Sequence, residues 1–242
     1  MNTRPEFRVH HRAVVRSTQD EARRLLERGE AGIGHVVVAD GQTAGRGRFG
    51  RSWLSPRGGF YATYIHAFEP LLSLKAAICV AARLRAAGLP VALKWPNDLL
   101  IGEEKLAGIL IEAVGQIALV GIGINLASAP LPTATDVSCH GVAIEPAGLI
   151  RGLADELARC QSEQEILEAY RAGCETLGRR VRIDLGAGRI IEGRAVAVDE
   201  SGGLLVESGG VMKRVASGTC VHIDGSGGKG RLAGEVSRCS LF

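Results

Sequence analysis

Lysine is scarce in this 242-residue chain, which has 5 lysines against 24 arginines. Its six cysteines form no Cys-x-x-Cys pair, which argues against a paired-cysteine metal or redox motif. The net charge of +3 is too small to favour general nucleic-acid binding. No hydrophobic run approaches the roughly 18 residues of a membrane span, and the N-terminus lacks an apolar signal segment. We therefore expect a cytoplasmic protein whose partners include neither nucleic acid nor membrane.

The sequence also lacks Gly-x-x-x-x-Gly-Lys-Ser/Thr, so a P-loop is excluded. A composition so biased toward arginine suggests that some remaining lysines are needed as lysines. Lys94 and Lys105 both fall inside motifs, which makes them candidate functional residues.

The segment 41–59 is the most informative part of the chain, since it interleaves glycines with Arg46, Arg48 and Arg51. Glycine lets a backbone approach a ligand closely, and arginine matches phosphate and carboxylate geometry. Trp53 adds a flat surface for a nucleobase. The segment spells a dinucleotide fingerprint but continues as loop rather than helix, and it lacks the repetition of RNA-binding Arg-Gly tracts. ATP or an acyl-adenylate is the ligand we expect.

The pattern of the chain predicts an α+β domain followed by a β-rich one. A strand over 8–16 precedes a short helix, which a capping box at Thr18–Glu21 would start. Strands and one long helix follow to residue 124, and 146–178 reads as helical. From Arg179 the chain is short β runs with tight turns, typical of a small barrel. We expect a catalytic domain at 1–178, a barrel at 179–224 and a flexible tail at 225–242.

Three further motifs carry candidate chemistry. Lys94-Trp-Pro-Asn-Asp98 places a lysine, an amide and a carboxylate at a strand end, where they could hold triphosphate oxygens and Mg²⁺. Lys105 precedes an apolar strand in which Gly108 permits close approach. Gly121-Ile-Gly-Ile-Asn125 leaves one strand face bare. A charged surface turn, a solvated lysine or a sheet-packing contact would explain each motif alone.

Taken in order, these motifs and Ser17-Thr18 resemble the biotin protein ligases over roughly residues 9–225. The resemblance implies a catalytic domain related to class II aminoacyl-tRNA synthetases, with a mixed sheet and helices, followed by an SH3-like barrel. It implies an enzyme that uses ATP and Mg²⁺ to convert biotin into biotinyl-5′-AMP. The biotinyl group then passes to a lysine of a biotin carboxyl carrier domain. A homodimer is compatible with this reading.

The resemblance also implies residue roles. Lys105, Arg48 and Lys94 would be catalytic, and Asp98 would help to place Mg²⁺. The biotin site would comprise Ser17, Thr18, Gln19, Gln42, Arg46, Gly47, Arg48, Lys105 and Gly108. The ATP site would comprise Arg48, Arg51, Trp53, Lys94, Asn97, Asp98 and Asn125. We expect the 41–59 loop to be mobile without ligand and to order over the adenylate.

Two departures and two alternatives accompany this interpretation. The first departure is Gln19, which stands where asparagine is commoner after Ser-Thr. The second is that the chain starts almost at the first catalytic strand, so we expect a monofunctional form without a DNA-binding domain. A lipoate or octanoate ligase of the same fold is the nearest other enzyme. A non-catalytic sensor of biotinyl-adenylate is the alternative from another class.

Overall fold

The computed structural model describes residues 6–223, which divide into two compact units at the boundary between Cys174 and Glu175. The expected tail at 225–242 lies outside the described residues. Within them, no helix is long and apolar enough to cross a membrane.

The first unit is built on a seven-stranded mixed sheet in the order β1-β2-β3-β7-β6-β5-β4. Only β1 and β2 pair in parallel; the other neighbours are antiparallel. The strands are β1 (Arg8–Val15), β2 (His35–Gln42), β3 (Phe60–Ala67), β4 (Ala92–Lys94), β5 (Asp98–Ile101), β6 (Glu104–Val114) and β7 (Ile117–Ile124). The α+β prediction for this unit is confirmed.

Four helices accompany this sheet: α1 (Thr18–Glu27), α2 (Leu72–Ala86), α3 (Pro146–Leu157) and α4 (Glu163–Gly173). The apolar face of α1 packs Ala22 and Leu25 into a core cluster with Val37 and Leu119 of the sheet. The helix predicted over 146–178 is in fact two helices, since α3 ends at Leu157 and Ser162 caps α4 with a reciprocal bond to Glu165.

The start of α1 differs by one residue from the prediction. Ser17 is the N-cap, and its hydroxyl accepts from the Gln19 amide N–H. The Thr18 side chain instead bonds to Gln42 and Thr63, while Glu21 bonds to two arginines. The cap therefore lies one residue earlier because other side chains engage both members of the predicted capping pair.

The second unit contains a five-stranded antiparallel sheet in the order β11-β10-β9-β8-β12. Within the described residues its edge strands β11 and β12 do not pair with each other, so the sheet is an open version of the expected barrel. Its strands are β8 (Arg180–Asp184), β9 (Ile190–Val198), β10 (Leu204–Ser208), β11 (Val211–Val215) and β12 (Thr219–His222).

The anchorage of α1 should depend on pH. Arg24 and Arg12 donate hydrogen bonds to the Glu21 carboxylate and lower its pKa from 4.5 to about 2. This stabilisation is complete above pH 4.5 and is lost as pH falls toward 2. We expect Glu21→Gln to lower the free energy of unfolding by about 1 kcal/mol at pH 7 and by almost nothing at pH 2.

Urea titrations across this pH range would measure the effect. Glu27→Gln, at an exposed position of the same helix, is the matched control. A Glu21→Gln deficit that stays constant down to pH 2 would contradict the assigned carboxylate interaction.

Candidate active site

Strands β4, β5 and β6 bring Lys94, Asp98 and Lys105 to one end of the sheet. Lys105 Nζ lies 2.5 Å from Asp98 Oδ1, and Lys94 pairs with Asp98 in the β4–β5 register. Asn97 occupies the turn, where its side-chain N–H donates to the Ile109 carbonyl at 2.7 Å. The end of the sheet therefore presents Lys105 against the Asp98 carboxylate, with Lys94 opposite Asp98 in the strand register.

Arg48 reaches this cluster from the 41–59 loop. Its Nη1 donates to Asn97 Oδ1 at 3.1 Å, across 49 positions of sequence. Burial lowers the pKa of Arg48, whereas the Asp98 carboxylate raises it. A guanidinium retains its charge under such a shift, so Arg48 adds a partly desolvated cation to the two lysines.

The 41–59 loop folds back on itself as an irregular hairpin. The Gln42 N–H donates to the Ser55 carbonyl, and the Trp53 N–H donates to the Gly45 carbonyl at 2.9 Å. A Cβ on Gly45 would lie 2.4 Å from the Trp53 carbonyl oxygen, so this crossing requires glycine. Its expected ordering over a ligand stays a prediction.

Three glycines on adjacent strands β6 and β7, Gly108, Gly121 and Gly123, form what we call the glycine stripe. Gly108 pairs with Gly123 across the sheet, and Gly121 lies two residues away on the same face. A Cβ on Gly123 would lie 2.6 Å from the Trp53 indole, and one on Gly108 would lie 3.1 Å from it. The bare strand face predicted from sequence is therefore covered by Trp53 in this structure.

The indole is held between the sheet and a cation. Lys105 Nζ lies 5.1 Å from the centre of the Trp53 ring, within cation–π range. The indole N–H is buried and has no hydrogen-bond partner among the described residues. In this conformation Trp53 lies against the glycine stripe. The predicted stacking of adenine on Trp53 therefore requires one face of the indole ring to become accessible to the ligand.

The other end of the glycine stripe is lined by neutral polar groups. The Thr18 N–H and hydroxyl both donate to Gln42 Oε1, and the Thr63 hydroxyl donates to Thr18 Oγ1 at 2.9 Å. Gln42 Nε2 donates to Ser55 Oγ. Together with the buried N-cap Ser17, these residues form what we call the polar pocket.

Sequence reasoning missed Thr63 and Ser55. Thr63 is fully buried on β3 and pairs with Gly121 of the glycine stripe. A single threonine in an otherwise apolar or aromatic run, Phe60 to Ile65, was the signal that could have identified it.

Gln19 covers the glycine stripe at Gly121. Its Nε2 lies 3.1 Å from the position of a Gly121 Cβ and donates to the carbonyls of Leu110 and Leu119. These two acceptors fix the orientation of the amide, because a flip would set oxygen against oxygen. Gln19 Oε1 is then buried without a partner among the described residues. A buried acceptor of this kind fits a ligand N–H.

Two of the predicted ligand-binding arginines do not lie beside Lys105 in this structure. Arg46 pairs with Asp20 and Glu112, each at 3.0 Å, and Glu112 is seven residues beyond Lys105 on β6. Arg51 is exposed, and its Nε donates to the Arg48 carbonyl at 3.4 Å. Arg46 ties the loop to α1 and β6, a position that sequence spacing alone could not indicate.

Two other predicted residues support the loop backbone and the strand ends. The Gly47 N–H donates to the Arg51 carbonyl at 2.7 Å. The buried Asn125 amide donates to the carbonyls of Lys105 and Thr135. Asn125 therefore holds the strand that carries Lys105 against the segment after β7.

The side chains do not build a metal site by themselves. Among residues 6–223, no group of three or more His, Cys, Asp or Glu side chains could hold a metal ion. Asp98 is one carboxylate already paired with Lys105, and Asn97 Oδ1 already accepts from Arg48. Magnesium therefore fits this site only as part of a magnesium–ATP substrate, held mainly by phosphate oxygens.

The packing of Trp53 on the glycine stripe leads to a direct test. Gly123→Ala would place a methyl carbon 2.6 Å from the indole of Trp53, which is too close for both to fit. We therefore expect the ring to move into solvent and its fluorescence emission to shift to longer wavelength. Trp95, which is 1% exposed, should contribute an unchanged component.

Gly32→Ala is the control for the spectrum, since a Cβ there meets nothing within 4 Å. An unshifted emission spectrum in a folded Gly123→Ala protein would show that Trp53 does not rest on the glycine stripe.

Comparison with known proteins identifies the family. Residues 12–127 match the Biotin/lipoate A/B protein ligase family, and residues 176–223 match the Biotin protein ligase C terminal domain. The chain is 33% identical to a biotin–[acetyl-CoA-carboxylase] ligase of Mycobacterium tuberculosis, over 87% of this chain and 88% of that protein. It is 35% identical to a biotin–[acetyl-CoA-carboxylase] ligase of Paracoccus denitrificans, over 78% of this chain and 90% of that protein.

The solved structures agree. The biotin protein ligase from Aquifex aeolicus in complex with biotin and ATP matches with a TM-score of 0.76 and 29% identity, over 89% of this chain and 99% of that one. The ligase from Leishmania major in complex with biotinyl-5-AMP matches with a TM-score of 0.64 and 29% identity, over 87% and 99%. This chain belongs to the biotin protein ligase family.

Proposed function

We propose that this chain activates biotin with ATP and transfers it to a lysine of a biotin carboxyl carrier domain. The observation that carries the proposal is the arrangement of polar groups along the glycine stripe, which are neutral at one end and positively charged at the other. The neutral polar pocket and Gln19 lie at the Gly121 end, and Lys105 lies at the Gly108 end. Biotin has the matching polarity, with a neutral hydrogen-bonding ureido ring at one end and a carboxylate at the other.

In the first half-reaction, a biotin carboxylate oxygen attacks the α-phosphorus of ATP. The new P–O bond forms as the bond to pyrophosphate breaks, which yields biotinyl-5′-AMP. Both reactants are anions, so the chain must supply positive charge and alignment rather than a nucleophile. We assign Lys105 to the carboxylate and the α-phosphate, and Arg48 and Lys94 to the phosphates. The position of all three around Asn97 and Asp98 supports this assignment.

Asp98 and Asn97 hold these cations in place before substrate binds. Asp98 neutralises Lys105, and Asn97 fixes the Arg48 guanidinium. When phosphate oxygens arrive, they offer both cations a second anionic partner. We assign Arg51 to the phosphates as well, because its exposed position on the loop lets its side chain turn toward them.

In the second half-reaction, the amine of the carrier lysine attacks the acyl carbon of the adenylate. The C–N bond forms, AMP leaves with the bonding electron pair of the acyl–phosphate oxygen, and the amine loses a proton. Exclusion of water protects the adenylate meanwhile. The ties of Arg46 to Asp20 and Glu112 hold the loop against the sheet and support this role.

A lipoate or octanoate ligase remains the nearest alternative. Those acids have apolar heads, which would leave Gln42, Thr18 and Gln19 Oε1 without ligand partners. A site built to hydrogen-bond its substrate discriminates strongly against analogues that cannot do so.

Removal of Lys105 tests the reaction. We expect Lys105→Ala to slow ATP-dependent transfer of biotin to an isolated carrier domain by about 10²–10³-fold, since one preorganised charge at the reacting oxygens is lost. Lys213→Ala, at an exposed lysine of the second unit, should leave the rate unchanged.

The controls separate the rival functions. Labelling with lipoate in place of biotin would contradict the substrate assignment. Formation of the adenylate by the wild type without transfer to any carrier domain would support the sensor alternative.

The unpartnered oxygen of Gln19 gives a second test. We expect Gln19→Met to raise the KM for biotin about 10-fold, since one hydrogen bond to a ureido N–H is lost, while the KM for ATP stays unchanged. Steady-state kinetics with each substrate varied would measure both. Gln164→Met, an exposed glutamine on α4, is the control. Equal increases in both KM values would indicate general disruption rather than ring recognition.

A further inference from the structure

Phe49 is an exposed aromatic residue held in an unfavourable backbone conformation at the tip of the 41–59 loop. Phe49 is 61% exposed. Its φ is +56°, in the left-handed region that residues other than glycine and asparagine rarely adopt. Neither hydrophobic burial nor backbone preference explains this placement. Such a combination indicates that the exposed ring has a function.

The position of the ring relates it to the active site. The Arg48 guanidinium carbon lies 5.0 Å from the centre of the Phe49 ring, and the same guanidinium bonds to Asn97 in the cluster around Asp98. The ring therefore covers the outer side of a cation whose inner side faces the site. The Phe49 ring is exposed beside this cation, so a macromolecule that approaches the site can contact it.

Other exposed apolar residues occur on the segments that border the site. Leu54, 48% exposed, follows Trp53 in the same loop. Leu131, 51% exposed, belongs to the segment whose Thr133 and Ala134 backbone pairs with Lys105. Exposed apolar side chains on the segments that border an active site are typical of a protein-docking surface.

We infer that Phe49 is the anchor by which the biotin-accepting carrier domain docks on this enzyme, with Leu54 and Leu131 at the edge of the contact. This inference rests on the proposed function, because the second half-reaction requires a folded domain to bring its lysine to the acyl carbon beside Lys105. Aromatic residues at the centre of an interface commonly contribute most of its binding energy. The partner surface is an apolar patch next to the acceptor lysine.

The two half-reactions allow a selective test with Phe49→Asn. Asparagine tolerates the left-handed conformation, so the variant should fold with an unchanged or higher thermal midpoint. We expect the KM for an isolated biotin carboxyl carrier domain to rise at least 10-fold. Biotin-dependent pyrophosphate release without carrier, and the KM values for biotin and ATP, should not change. Phe49→Tyr, which keeps the ring, should restore the carrier KM.

Phe68→Asn is the matched control. Phe68 is 51% exposed, but its N–H donates to the Gln116 carbonyl in the turn before β7, at the opposite end of that strand from Gly123. We expect its carrier KM to equal that of the wild type.

Three results would overturn the inference. A raised KM for ATP would make Phe49 a nucleotide platform, and a dimer that Phe49→Asn converts to monomers would make it a contact between copies of this chain. An unchanged carrier KM would remove it from the interface. Failure of the proposed function is distinguishable from these results: the wild type itself would then release no pyrophosphate with biotin or label no carrier domain, whereas each of the three results is measured against a wild type that does both.

Discussion

The close packing of side chains on the glycine stripe is the constraint on which the site depends. Because Gly108, Gly121 and Gly123 carry no side chains, the indole of Trp53 and the amide of Gln19 can lie directly on the sheet. Each brings a buried polar atom without a partner among the described residues, the indole N–H and Gln19 Oε1. Two such atoms on one strand face are costly unless a ligand satisfies them.

The electrostatics of the site follow from the same arrangement. Lys105 is held between Asp98 and the Trp53 ring, and Arg48 is partly desolvated against Asn97. The cations are therefore placed before ligand binds, and they are neutralised by one carboxylate rather than by a cluster. An incoming carboxylate and phosphate meet a site with spare positive charge, which suits a reaction between two anions.

Sequence reasoning predicted the features that depend on neighbouring residues. The strand Ile117–Ile124 and the placement of Lys94 at a strand end followed by a turn at Pro96 follow from alternation and from the fixed φ of proline. It failed where distant segments compete for a side chain. Thr18 turns to Gln42 and Thr63, which moves the helix cap to Ser17. No local sequence pattern shows which distant residues a side chain will bond to.

The loop shows the same limit more clearly. Its glycines and arginines predict a ligand site. However, Arg46 pairs with Glu112, 66 positions away, and Trp53 packs on strands β6 and β7, which lie far along the chain. Both contacts arise from how the sheet is assembled. Sequence reasoning could therefore supply candidate residues for the site, whereas their arrangement along the glycine stripe required the folded chain.

The most direct test of this account is pyrophosphate release from ATP by the wild-type chain, without any carrier domain, in the presence of biotin, lipoate or octanoate. The account predicts a single-turnover burst that requires biotin and that neither of the other acids produces. A burst with lipoate or octanoate, or none with biotin, would contradict the claim that the polar pocket and Lys105 together select and activate biotin.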